Sequence, residues 1–167
     1  MDVYKVAFIG HREIPNIISI QNELERIAKE LIRTKEFVEF YVGRNGDFDI
    51  SVASAVKFAQ KTLGRENSSL ILVLPYSTKD IEYYEKFYDE IIIPVTAHFK
   101  AAITERNKWL IDHSDLLVGY VEKDKKGGAQ TALKYAESQG TKIVNLTSAI
   151  NYGIFTANIT CLYSEQQ

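Results

Sequence analysis

Short apolar runs alternate with helix-spaced segments along nearly the whole chain, and this alternation restricts the fold more than any other feature. Residues 3–9 (VYKVAFI), 38–42, 69–74 (SLILVL), 91–93, 116–120 and 142–146 are apolar runs of strand length. Such runs, without strict polar alternation, suit strands covered on both faces. Between them, residues 16–33 place Ile17, Ile20, Leu24, Ile27 and Leu31 at steps of three and four, along one helix face. Residues 50–63 repeat the period through Val52, Ala55, Val56 and Ala59, and further helices are expected over 80–88, 101–113 and 129–138. Strands alternating with helices pair in parallel through crossover connections, with helices over both faces of the sheet. The expected fold is α/β: a single Rossmann-like, doubly wound domain with a mostly parallel sheet, spanning residues 1–150. Residues 151–167 read as a C-terminal tail or contact segment.

Composition narrows the function classes. A chain of 167 residues, 46% hydrophobic, can bury one core and is short for two. No apolar run is long enough to cross a bilayer, and the chain enters a strand-like run without a basic and apolar leader. A cytoplasmic location without a membrane partner is therefore expected. A net charge of −2 and a pI near 5.9 give no basic footprint for dedicated nucleic-acid binding. The single cysteine, Cys161, leaves no internal disulfide framework. His11, His98 and His113 lack ligand spacing such as HExxH, and no GxSxG elbow is present. No metal, resident cofactor, or serine or cysteine nucleophile is expected.

In a doubly wound sheet, ligands bind beyond the carboxyl ends of the strands. The first strand is followed by Gly10-His11-Arg12. Glycine lets the backbone turn or approach a ligand, arginine offers a forked donor for phosphate, and histidine can donate a hydrogen bond or move a proton. After the second strand comes GRNGDFD, residues 43–49, matching neither the Walker A nor the GxGxxG spacing. Gly43, Asn45 and Gly46 are binding candidates at this strand-to-helix junction, where free N–H groups favour anions. One of Asp47 and Asp49 is expected to cap the helix, and the alternatives are contacts to ribose or acid/base work. Tyr76, after the third strand, either stacks on a base or lines the rim. Arg106 and Asn107 sit in a charge run beside Trp109 and Leu110, which would turn them toward the sheet. Gly127-Gly128, with Thr131 one turn in, follows a strand and opens a helix, the arrangement of a phosphate cradle, and Lys125 and Lys126 add charge.

Taken together, GHR, GRNGDFD, LPY, RNKWLIDHSDLLVGY and KKGGAQTALKYA resemble the SLOG superfamily, the relatives of DprA and the Lonely Guy enzymes, and within it the small YpsA-like branch. The resemblance covers about residues 3 to 146 and implies a Rossmann-like fold that binds a nucleotide or nucleotide-derived ligand. It also implies a homodimer or larger homo-oligomer, for which the aromatic-rich stretch 83–88 is a candidate surface. Lonely Guy enzymes hydrolyse an N-glycosidic bond using an arginine from a helix and a glutamate shortly after a PGGxGT loop. Arg106 matches the arginine, and Gly127, Gly128 and Thr131 match the loop. Where the glutamate belongs, this chain has Ala132-Leu133-Lys134.

Cleaving an N-glycosidic bond builds positive charge on the sugar, so a carboxylate must stabilise it, attack it or position water. The leading expectation is therefore a binding module for a nucleotide-like small molecule, ADP-ribose-like, NAD-like or a nucleoside phosphate, acting as a sensor or sequestering protein. The alternative is an N-glycosidase using a relocated carboxylate, Asp49 or Glu105. A third class is an interaction protein working through its surface or tail.

Overall fold

The computed structural model describes residues 1–94 and 98–151, with the side chains of 149–151 excepted. Its order is β1 (Val3–Gly10), α1 (Ile17–Thr34), β2 (Phe37–Val42), α2 (Asp47–Leu63), β3 (Ser68–Val73), α3 (Ile81–Tyr84), β4 (Glu90–Ile92), α4 (Phe99–Asp112), β5 (Leu116–Tyr120), α5 (Gly128–Ser138), β6 (Lys142–Asn145) and α6 (Leu146–Asn151). Among the described residues the strands form one six-stranded sheet in the order β4-β3-β2-β1-β5-β6. All five of its pairings are parallel. The order reverses between β1 and β5, which places the crevice of a doubly wound sheet at their carboxyl ends.

The period of two along each strand sorts the core into two layers. Val6 and Phe8 of β1, Phe40 of β2, Leu70 and Leu72 of β3, and Leu116 and Val118 of β5 face one layer, filled by α1 and α2. Ala7, Ile9, Tyr41, Ile71, Val73 and Leu117 face the other, filled by Leu110 and Ile111 of α4 and Ala132 and Ala136 of α5. Register holds the layers together: Val6 lies beside Phe40 and Phe40 beside Leu70, while Ala7 lies beside Tyr41 and Tyr41 beside Ile71. Of the helix-spaced apolar positions of α1, Ile20, Leu24, Ile27 and Leu31 are buried, whereas Ile17, at the start of the helix, is exposed.

The expected helix over 80–88 is a single turn, α3, followed by further turns. Tyr88 lies at the end of this stretch. It is drawn into the core at 4% exposure, and its hydroxyl accepts from Arg44 Nη1 at 3.3 Å. The last strand also stops early, at Asn145. The Asn145 Oδ1 accepts from the Thr147 N–H and hydroxyl, at 3.3 and 3.0 Å, and so turns the chain into α6. Among the described residues no helix is long and apolar enough to cross a membrane. The expected tail, with Cys161, lies outside the described residues except for the Asn151 backbone.

Candidate functional site

Three locks join the loops leaving β1, β2 and β5. The first is apolar: Phe48, in the first turn of α2, is fully buried, and a Cβ on Gly10 would stand 2.3 Å from its ring. Only glycine at position 10 lets the phenylalanine in. The second is polar. The Asp47 N–H donates to the Arg12 carbonyl at 2.7 Å, and Gly46 comes so close that a Cβ there would lie 2.4 Å from Arg12 Cα. The third is His11, whose Nε2 accepts the Glu122 N–H at 2.8 Å while its backbone N–H donates to the Tyr120 carbonyl at 3.2 Å. A ring that accepts at Nε2 is neutral and carries its proton on Nδ1. Burial, with Lys125 nearby, holds the imidazole below its ordinary pKa, against a smaller opposing pull from Glu122.

Arg106 and Asp49 meet over Gly43. Arg106 is 5% exposed; Nη1 donates to the Val73 carbonyl at 2.8 Å and Nε to Asn107 Oδ1 at 3.0 Å. These bonds hold the guanidinium plane and leave its Nη2 without a hydrogen bond among the described residues. Asp49 is 9% exposed, and its Oδ2 accepts the Asn45 N–H at 2.9 Å. A Cβ on Gly43 would lie 2.4 Å from Arg106 Nη1 and 2.8 Å from Asp49 Oδ2, so both tips occupy the space a side chain would take. Burial pushes the Asp49 carboxyl above the usual range, opposed by the Asn45 N–H and the charge of Arg106. Burial likewise lowers the Arg106 guanidinium, opposed first by Asp49 and then by Tyr76. Neither aspartate caps α2 as expected. The N-cap is Gly46, which has no side chain to do so, and Asp49 reaches back one residue further, to Asn45.

The β5–α5 junction is built differently. Gly127 is the N-cap of α5, and no side chain caps the helix. Among the described residues nothing accepts the N–H groups of Gly128, Ala129 or Gln130. A Cβ on Gly127 or Gly128 would meet nothing within 4 Å. A bare helix end of this kind attracts anions through its free donors and its dipole.

These parts surround one cavity of about 250 Å³ at the carboxyl ends of β1, β2 and β5. Gly10, His11, Arg12, Gly43, Asn45, Gly46, Asp49, Arg106, Asn107, Gly127 and Gly128 line it, with Lys125 and Lys126. Two sequence candidates stand apart. Thr131 donates its hydroxyl to the Gly127 carbonyl at 3.1 Å and lies off the cavity wall, as a back-bonding helical threonine does. Tyr76 is 46% exposed and is also absent from the wall, though close enough to Arg106 to act on its charge. Glu105 points elsewhere and pairs with Lys108 at 3.4 Å. The apolar wall of Phe8, Ile9, Ile103 and Leu110 was not singled out from the sequence. Its signal was present on α4, where positions 103, 106, 107 and 110 share one helix face. Among the described residues no group of three or more His, Cys, Asp or Glu side chains converges.

No protein-family model and no curated protein sequence matches this chain. Among the solved structures that share its fold are two of different description. DNA processing protein A (DprA) from Streptococcus pneumoniae superposes with a TM-score of 0.61 at 14% identity, over 84% of this chain and 49% of that one. This chain thus spans about half the length of the DprA chain. The molybdenum cofactor carrier protein from Chlamydomonas reinhardtii gives a TM-score of 0.50 at 11% identity, over 95% of this chain and 88% of the carrier. The fold is therefore DprA-like, a Rossmann-like α/β fold.

Proposed function

We propose that this protein binds a nucleotide-derived small molecule, a nucleoside phosphate or an ADP-ribose-like or NAD-like compound, and holds it intact as a sensor or sequestering module of the YpsA-like branch. The observation carrying this reading is the convergence of the buried Arg106 guanidinium and the uncapped N-terminus of α5 on one cavity. A phosphate would rest on the N–H groups at Gly128 and Ala129, with Arg106, Arg12 and the two lysines supplying charge. At about 250 Å³ the cavity is smaller than pockets that enclose a whole ligand, commonly about 300–1,000 Å³, so the base would project toward its mouth. A role in holding a small molecule also has a parallel in the Chlamydomonas neighbour, which is a carrier of the molybdenum cofactor. A homodimer or larger homo-oligomer remains part of this proposal, as the resemblance implies.

One observation favours a second reading, an N-glycosidase. Asp49 lines the cavity with its carboxyl pushed upward by burial, as catalytic acids often are. The experiment is a thermal-shift panel of nucleoside mono- and diphosphates, ADP-ribose and NAD, with mass analysis of every incubated compound. A compound that stabilises the protein and returns intact is the expected result. Recovery of free base and sugar phosphate, abolished in Asp49→Asn, would establish the enzyme instead. Arg106→Ala should weaken the stabilising compound about 100-fold, the cost of losing a buried charge-assisted contact; unchanged affinity would remove Arg106 from the site.

A further inference from the structure

Among the described residues, Asp49 is the sole carboxylate on a wall otherwise furnished with donors. Arg12, Arg106, Lys125 and Lys126 line the cavity as cations. His11 presents an Nδ1–H, because its Nε2 already accepts from Glu122. Asn107 has its Oδ1 occupied by Arg106 Nε, which leaves its amide N–H groups for the cavity. Against this set, Asp49 is buried at 9% exposure, uses Oδ2 on the Asn45 N–H, and makes no other side-chain hydrogen bond among the described residues. Its Oδ1 is not sealed in the protein, for the only fully enclosed side-chain polar atom without a partner among the described residues is Gln60 Oε1. No hydrogen bond joins Asp49 to Arg106, although both tips crowd the same point over Gly43. An acceptor oxygen is thus left open inside a site that attracts anions.

A purely anionic ligand would be repelled there; one that carries a hydroxyl next to its phosphate would be welcomed by both. Resting on the phosphate-binding reading above, we infer that Asp49 accepts a hydrogen bond from a ring hydroxyl of the ligand's sugar, so that the site selects ribose phosphates over their deoxy counterparts. Geometry supports a short link between the two subsites. Asp49 belongs to the β2–α2 junction and Gly128 to the β5–α5 junction, yet both border one cavity of about 250 Å³. A five-carbon sugar phosphate suits such a cavity, whereas free phosphate held at Gly128 would bring no sugar hydroxyl to Asp49. Discrimination of this kind is strong in principle, because a ligand that lacks the hydroxyl strands a buried acceptor.

The probes are methyl β-D-ribofuranoside 5-phosphate, its 2-deoxy and 3-deoxy counterparts, and inorganic phosphate, titrated by calorimetry into the full chain. The ribo compound should bind about 10- to 100-fold tighter than at least one deoxy compound, and the preference should collapse toward unity in Asp49→Asn, while inorganic phosphate, relieved of the carboxylate's repulsion, binds that variant at least as tightly as the unaltered protein. Equal affinity for all three sugar phosphates in the unaltered protein overturns the inference and leaves the phosphate-binding reading standing; this comparison needs no variant to fold. Failure of every probe, inorganic phosphate included, overturns both.

Discussion

Two strand-to-helix junctions in this molecule each carry two glycines and do opposite things. The β2–α2 junction, GRNGDFD, has Gly43 and Gly46 ahead of α2, and the β5–α5 junction, KKGGAQT, has Gly127 ahead of α5 and Gly128 at its first position. In the first, the glycines are filled by protein. Gly43 makes room for Arg106 and Asp49, and Gly46 for the backbone of Arg12. The first helical N–H is already spent on the Arg12 carbonyl. In the second, the space beside both glycines is open and the helical donors have no protein partner among the described residues. Glycine thus marks close approach in both places, but the approaching body is the protein itself in one and solvent or a ligand in the other. One junction assembles the site, and the other faces what the site holds.

The sharpest way to break this comparison is Gly46→Ala. A Cβ there would meet Arg12 Cα at 2.4 Å, on a backbone with φ of +151° that side chains rarely adopt. The expected loss is about 3 kcal/mol of unfolding free energy, from overpacking together with strain, read as a lower urea midpoint at unchanged slope. A loss below a few tenths would mean that the two loops are not locked. The counterpart substitution, Gly128→Ala, has room to spare and should leave stability unchanged or raise it by about 0.5 kcal/mol. Its added methyl would stand where the phosphate rests, so affinity should drop about tenfold, by analogy with a lost charge-assisted hydrogen bond. Equal behaviour of the two variants in both assays would erase the distinction.

The smallest effect concerns pH, through the lock that His11 makes between the first and third loops. Its folded pKa lies below the ordinary 6.5. Between those two values the unfolded chain binds a proton that the folded ring refuses, so stability falls as pH falls. Its contribution is complete above 6.5 and is lost as pH drops through the lower, folded value. Thermal midpoints should therefore decline more steeply below pH 6.5 in the unaltered protein than in His11→Gln, whose amide oxygen can accept the Glu122 N–H without titrating. Parallel curves would show that the His11 bond to Glu122 does not report on the fold.

Much of this was legible beforehand, for identifiable reasons. Each strand and each long helix announced itself because burial imposes a period of 2 or 3.6 on the chain. Position after a strand was enough to nominate His11, Asn45 and Gly128, because a parallel sheet gathers its strand ends at one edge. Thr131 read as a ligand donor because the sequence shows a hydroxyl one turn into a helix, and only the folded chain shows that hydroxyl turned back on the Gly127 carbonyl. Glu105 and Asp49 were equal candidates as letters. The fold separates them, sending Glu105 to Lys108 at the surface and Asp49 into the cavity beside Arg106. By itself, then, the sequence determined the alternating elements, the parallel sheet and the edge at which a ligand would be met, since these follow from local periodicity and chain connectivity. Which glycines are filled and which stay open, and which carboxylate is buried beside the arginine, were decided by contacts between segments some 60 residues apart, from Gly43 and Asp49 to Arg106, and no local pattern encodes such contacts.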